Sequence, residues 1–374
     1  MNTQDLKYHV VMPENKKDFY GEYETVDLKL TGTGRKMVGG SVRLLGEISV
    51  SGNTAVAKNV CYDGFSGLHT IVDNIKTAFS NVGQVENLDH YARFVSAKAK
   101  ASLTKNDLFN SMYVCEGRVP DNVLSRKLLK GVVGYSAVST TPVVALAKLD
   151  FSVKLDFCLN NMIGDNLLSF NKTGDVLISL QTARNLACLF GDADIGSNCT
   201  YSLSNLRLAY MSVPDDGKAS KYNMRVVSSL KQSIQSSYAN ISSKIPIIAD
   251  SFFMTFIRQD HENSTLYNSS QCEKLPLFQR LEITYNDNLS QQFTYQIDNE
   301  EEVLTNYIKA IQKVSGDNNA DLSVLAGNDS YGVGINFGSY VDLSKTKIGV
   351  NLQTGIQSEF PFSAYMHFMG VVSL

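Results

Sequence analysis

The chain of 374 residues carries 34 Lys and Arg against 37 Asp and Glu, a net charge of −3, and only 19% of it is charged. At about 100–200 residues per domain this length predicts two domains or three, and 43% hydrophobic residues suffice to build their cores. The even balance of charge excludes the clustered basic excess of a dedicated nucleic-acid binder. Eighteen Tyr and 18 Phe without Trp, among abundant Asn, Ser, Thr and Gly, fit a β-rich protein with many loops.

The opening MNTQDLKYHVVMPENKKDFY has no basic segment leading into an apolar one, which argues against a secretory signal. No apolar run approaches the roughly 18–20 residues of a membrane-spanning helix. The expectation is a soluble chain made in the cytosol, with an irregular arm over residues 1–20.

Period-two alternation is the dominant signal from there on. Val26, Leu28 and Leu30 alternate with polar partners. Gly32-Thr33-Gly34-Arg35-Lys36 reads as a hairpin, because its spacing is wrong for a phosphate loop. Ile48 and Val50 mark another strand. Gly64-Phe65-Ser66-Gly67 is not the G-x-S-x-G elbow of hydrolases, so Ser66 reads as a loop serine. A strand over residues 74–80 meets the turn Asn81-Val82-Gly83, then a short polar segment, then a helix predicted over about 86–102 with Leu88, Tyr91 and Val95 on one face. Alternation resumes at Val153, Leu155 and Phe157, at Val176, Ile178 and Leu180, and at Leu206, Leu208 and Tyr210. Asp192 and Asp194 lack the remaining ligand positions of a calcium loop and read as a polar turn.

The cluster Val213-Pro214-Asp215-Asp216-Gly217-Lys218 predicts a turn, and with it a boundary between domains at 21–213 and 214–374. Beyond it Leu281, Ile283 and Tyr285, then Phe293, Tyr295 and Ile297, then Ile348, Val350 and Leu352 alternate. A second helix is predicted over about 299–314, with Val303, Tyr307, Ile311 and Val314 on one stripe. Asp298 is placed as its N-cap, and Glu300, Glu301 and Glu302 fall in the first turn, where the helix dipole favours acids. Strand, Asn-rich turn, short strand, helix thus occurs twice, about 205 residues apart. Such self-similarity predicts two domains of one design.

Residues for chemistry are scattered. Cys61, Cys115, Cys158, Cys188, Cys199 and Cys272 form no CxxC pair, and a cytosolic origin predicts reduced, buried thiols. Seven Asn-x-Ser/Thr acceptors are what an Asn- and Ser-rich chain supplies by chance. His9, His69, His90, His261 and His367 are far apart and form no H-x-H or H-E-x-x-H cluster. Asp260-His261-Glu262 is the one dense polar triplet. No catalytic, cofactor-binding or metal site is predicted, and no cofactor.

Two β-sandwiches in tandem, each with a helix at the same point, resemble the double jelly-roll major capsid proteins of the tectivirus, adenovirus, virophage and Polinton-like lineage. The stretch from Gly67-Leu68-His69-Thr70-Ile71 through Asn81-Val82-Gly83 to His90-Tyr91 is similar to the family's first-domain segment leading into the flanking helix. Family-like too are Phe157-Cys158-Leu159-Asn160-Asn161 with Lys172-Thr173-Gly174-Asp175, Leu206-Arg207-Leu208-Ala209-Tyr210, and Tyr331-Gly332-Val333-Gly334-Ile335 with Val341-Asp342-Leu343-Ser344. The resemblance spans roughly residues 20–374. It implies an all-β fold of two tandem eight-stranded jelly-roll β-sandwiches with two short flanking helices. It also implies a non-enzymatic major capsid protein whose homotrimers tile an icosahedral virion, with the arm reaching a neighbour or the inner face. Implied partners are neighbouring capsomers, vertex (penton) proteins and minor capsid proteins, with no sequence-specific nucleic acid, and an internal membrane beneath the shell is left open. The alternative reading is a β-sandwich receptor-binding spike or a minor vertex capsid protein. Surface towers would be modest, built from loops at about 102–150 and 258–276.

Overall fold

Most of the alternating segments form strands and turn their apolar sides inward. The computed structural model describes residues 5–51, 60–102, 113–118, 149–164, 167–191, 199–218, 221–286, 292–315 and 330–374. In the first half β2 (Thr25–Leu30), β6 (Val72–Phe79), β7 (Gly83–Leu88) and β11 (Val176–Thr182) lie in the order β7-β6-β11-β2. The register sets Leu180 between Val26 and Ile75, and Val176 between Leu30 and Phe79, so one face of this sheet is apolar. The opposing sheet runs β1 (Lys7–Val11), β13 (Thr200–Pro214), β4 (Arg43–Ser51), β8 (Leu149–Lys154), and it buries Leu44, Ile48, Val50, Leu203, Leu208 and Tyr210. Each such side chain is worth about 1.5–3 kcal/mol on removal from water. β3 (Arg35–Val38) and β10 (Leu167–Ser169) extend that sheet beside β13.

The second half repeats the plan. β14 (Asn223–Ile234), β21 (Phe362–Ser373), β16 (Ile248–Arg258) and β19 (Gly332–Asp342) form one sheet in that order, and β15 (Tyr238–Ser243), β20 (Ile348–Gln353), β17 (Arg280–Asn286) and β18 (Gln292–Ile297) form the other. If the eight principal strands of each half are counted in chain order, both halves have the order 1-8-3-6 in one sheet and 2-7-4-5 in the other. The short β5 (Val60–Cys61) pairs β12 (Phe190–Gly191), and β9 (Met162–Ile163) lies beside β14.

The helix α1 (Tyr91–Ser102) follows the fifth strand of the first half. Single-turn helices α2 (Tyr113–Glu116), α3 (Phe170–Thr173), α4 (Asn185–Cys188) and α5 (Gln259–Glu262) punctuate loops, and α6 (Glu300–Ser315) follows the fifth strand of the second half. Gly332 and Gly334 of β19 let α6 approach: a Cβ on Gly332 would collide with the Tyr307 ring, and one on Gly334 would press on Ala310 at 3.0 Å.

Four expectations are corrected. The first helix starts at Tyr91, not near Glu86, because Glu86–Leu88 is claimed by pairing with β6; His90, at a φ of 55°, then turns the chain into the helix. Asn299 rather than Asp298 caps α6: its Oδ1 accepts the Glu301 N–H at 2.8 Å, while Asp298 accepts from the Gln296 amide. Within the predicted arm, Lys7–Val11 is a strand paired with β13 from Lys7↔Ser212 to Val11↔Leu208, and His9 stacks on Tyr210 at 4.6 Å. The 258–276 segment folds inward as α5 and a loop bound to the first half. Most of 102–150 lies outside the described residues. The turn after Pro214 is pinned, since the buried Lys36 ammonium donates to Asp216 at 2.5 Å and lies 3.7 Å from Asp215.

Candidate functional site

The functional feature that the topology creates is the seam between the two sandwiches. The fifth strand of the first, β7, runs parallel to the first strand of the second, β14, and so merges two four-stranded sheets into one. A single rung, Asn87↔Ser228, joins them. Side chains complete the junction. The Glu86 carboxylate accepts the Cys158 N–H at 2.9 Å from the first half and the Val227 N–H at 3.1 Å from the second. Burial, reinforced by the nearby Asp156 charge, pushes its carboxyl up to about 7 against the pull of those amides.

Helix α1 supplies the other half of the junction. Arg93, almost fully buried, donates to the carbonyls of Ser269 and Gln271 and stacks its guanidinium 4.1 Å over the Tyr365 ring. The Asn268 amide donates to Asp63 at 2.6 Å, and the Ser269 hydroxyl to the Ala187 carbonyl at 2.8 Å. This is why residues 263–274 turn inward: their backbone carbonyls find donors on the first sandwich. Phe94 of α1 also meets Phe253 and His367 of the second half, at ring separations of 6.1 and 5.6 Å.

Beside Arg93 a cavity of about 250 Å³ separates Asp73, His90 and Arg184 from Lys231, Glu262 and Tyr365. Glu262 organises its wall: it accepts from Lys231 at 2.6 Å, from Ser363 at 2.6 Å and from the Tyr365 hydroxyl, and Arg184 lies 3.5 Å away. Burial opposes ionisation of Glu262, but Lys231, Ser363 and Tyr365 outweigh it and hold the carboxyl down to about 2.

Under α1, in the family-like stretch, Gly67–Ile71 forms a buried 3₁₀ helix. A Cβ on Gly67 would strike the Glu116 carbonyl. His69 contacts Tyr91 at 2.6 Å and Arg118 at 2.8 Å, and Glu116 lies 3.3 Å away. Burial and the Arg118 charge keep His69 below its ordinary value, whereas His69 and Arg118 overcome burial to hold Glu116 at about 2.

The histidines remain apart. His9 contacts Ser212 at 2.7 Å, His261 contacts Glu273 at 2.5 Å, and His367 contacts Ser229 at 2.7 Å. The Asp260-His261-Glu262 triplet is thereby split: Asp260 pairs with Arg258, His261 with Glu273, and Glu262 faces the cavity. Among the described residues no three His, Cys, Asp or Glu form a group suited to a metal ion. Ser66 is buried and donates to Asp63 at 2.7 Å, and Arg35 closes a hairpin on the Gly32 carbonyl. Cys158, Cys188, Cys199 and Cys272 are buried thiols and Cys115 is half-buried. Asp192 and Asp194 lie outside the described residues. No local pattern marks Glu86 or Arg93, and Glu262 stands out only within its polar triplet; the one signal available is charge inside an otherwise apolar setting, as at Arg93 in α1.

The strand order 1-8-3-6 against 2-7-4-5 is that of a jelly roll, so the chain is a double jelly roll with a helix after the fifth strand of each. No family model and no curated protein matches the chain. Solved structures do. The chain is similar to the Faustovirus major capsid protein, with a TM-score of 0.63 at 8% identity over 99% of this chain and 90% of that one. It is similar to a chain of the Sputnik virophage at 0.60 and 11% identity, over 99% and 86%. PBCV-1 VP54, fitted into a reconstruction of Sputnik, gives 0.59 at 9% identity, over 99% and 94%. The chain thus has the double jelly-roll fold of viral major capsid proteins.

Proposed function

We propose that the chain is a major capsid protein, a structural and non-enzymatic subunit that closes into homotrimers and tiles an icosahedral shell. One observation carries the reading. The seam joins a fifth strand to a first strand, and among the described residues the chain keeps one more of each at an open sheet edge, β18 and β1. A second copy that sets its β1 against β18 repeats the seam. Such head-to-tail contacts close when the rotation fits, and three copies then give a ring of six sandwiches. Tyr8 and Val10 of β1 and the flanking Leu6 and Met12, on alternate residues, are exposed, Tyr8 at 61%. An apolar row of this kind on a sheet edge favours a partner over water.

In this reading the two domains divide at 213/214, the trimers contact neighbouring capsomers, vertex and minor capsid proteins, and the protein resides in the virion. Sedimentation and negative-stain microscopy of the purified chain test it. The expected particle is a trimer with a hexagonal outline about 70–80 Å across, from sandwiches whose sheets are about 10 Å apart before side chains and loops. A monomer at every concentration would refute the reading, and a pentamer would favour a vertex protein.

A further inference from the structure

We propose that Glu86 is a proton-operated latch on the seam between the two sandwiches. With its proton on, the carboxyl lies neutral between the halves; with its proton off, a bare charge is held there by one backbone amide from each half, and opening the seam hydrates it. The latch stands on the seam alone and is independent of trimer formation.

Its position is the first argument. Glu86 is one residue from the single rung between β7 and β14, and its two oxygens span from Cys158 of the first half to Val227 of the second. The side chain is 3% exposed but lines a groove of about 650 Å³ along the seam, with Val85, Val226, Ile248, Asp342 and Val372. The groove gives solvent and protons a path to the carboxyl once the halves part slightly.

Its neighbours are the second argument. From the segment after β8, the Cys158 thiol bonds the same carboxyl, and Asp156 adds a negative charge already engaged by Lys98 at 2.7 Å. From β6, Thr77 contacts the Cys158 thiol. From β14, Arg225 is taken by Asp250 at 2.5 Å. Just past the end of its own strand, Asp89 is bound to Asn74 and Asn87. Across the groove, Asp342 is occupied by Ser344 and by Lys345 at 3.1 Å. Among the described residues no cation pairs with Glu86, so its charge rests on two amides and a thiol.

The direction follows. The folded carboxyl sits at about 7, above its ordinary 4.5. The closed seam therefore binds the proton more tightly than the open one, is strongest below about 4.5, and weakens as pH rises through 7. Hydrogen exchange at the Cys158 and Val227 amides of the full chain, corrected for intrinsic exchange, reads the opening. The expected opening constant rises about tenfold between pH 6 and pH 8 in the wild type and is flat in Glu86→Gln. An equal rise in Glu86→Gln, or none in the wild type, overturns the latch. Should Glu86→Gln fail to fold, infrared titration of the wild type decides: a buried protonated carboxyl present at pH 6 and gone by pH 8 supports the latch, and its absence at pH 6 overturns it.

Discussion

The third and eighth strands of the two halves hold the same place in the same fold, yet they read differently. In β4 and most of β13, buried residues alternate with half-buried or exposed ones, and Glu47, Ser49, Ser202 and Arg207 point outward. In β16 and β21, nine consecutive residues each are buried. The first sheet meets solvent on its outer face. The second has that face covered, by α6 of its own half and α1 of the other, whose Tyr307 and Phe94 close on Phe253 at 5.9 and 6.1 Å. Unbroken apolarity in a strand is therefore a record of two neighbours rather than one.

Substitutions break or sharpen this contrast. Phe253→Ala leaves a void shared by Phe94, Tyr307 and His367, and is expected to cost about 3–5 kcal/mol in urea unfolding. Next comes acid. Glu262 sits at about 2 in the fold against an ordinary 4.5, so its contribution, on the order of 3 kcal/mol, is complete above 4.5 and is lost as pH falls towards 2. Glu262→Gln should flatten that limb of a pH–stability curve; an unchanged limb would assign acid sensitivity to Glu116, the other carboxyl held at about 2. The smallest effect belongs to the open sheet: Ser202→Ala should stay within about 0.5 kcal/mol. Comparable losses for Ser202→Ala and Phe253→Ala would abolish the distinction between covered and open faces.

Legibility followed the same physics. β2, β11 and β20 were plain in the sequence because one-sided burial imprints period two on them. β16 carried no such period, being covered on both sides, and alternation at Leu155 and Phe157 outran β8 because both are buried beyond its end. The duplicated strand–turn–strand–helix was visible because β6–β7–α1 and β17–β18–α6 are each local in sequence. The seam was not. Glu86 meets partners 72 and 141 residues away, and Arg93 one 176 away, separations that no local pattern encodes.

Backbone ladders across the junction are short. A long ladder would fix the relative orientation of the sandwiches through the backbone, which substitution hardly alters. One rung, Asn87↔Ser228, joins β7 to β14, and β9 adds only Asn223↔Ile163 and Met224↔Met162, so side chains such as Arg93 and Asn268 share in setting the dihedral angle between the halves. Point changes there can tune the pitch of the tile, and so the curvature a lattice of such tiles adopts, while both barrels stay intact.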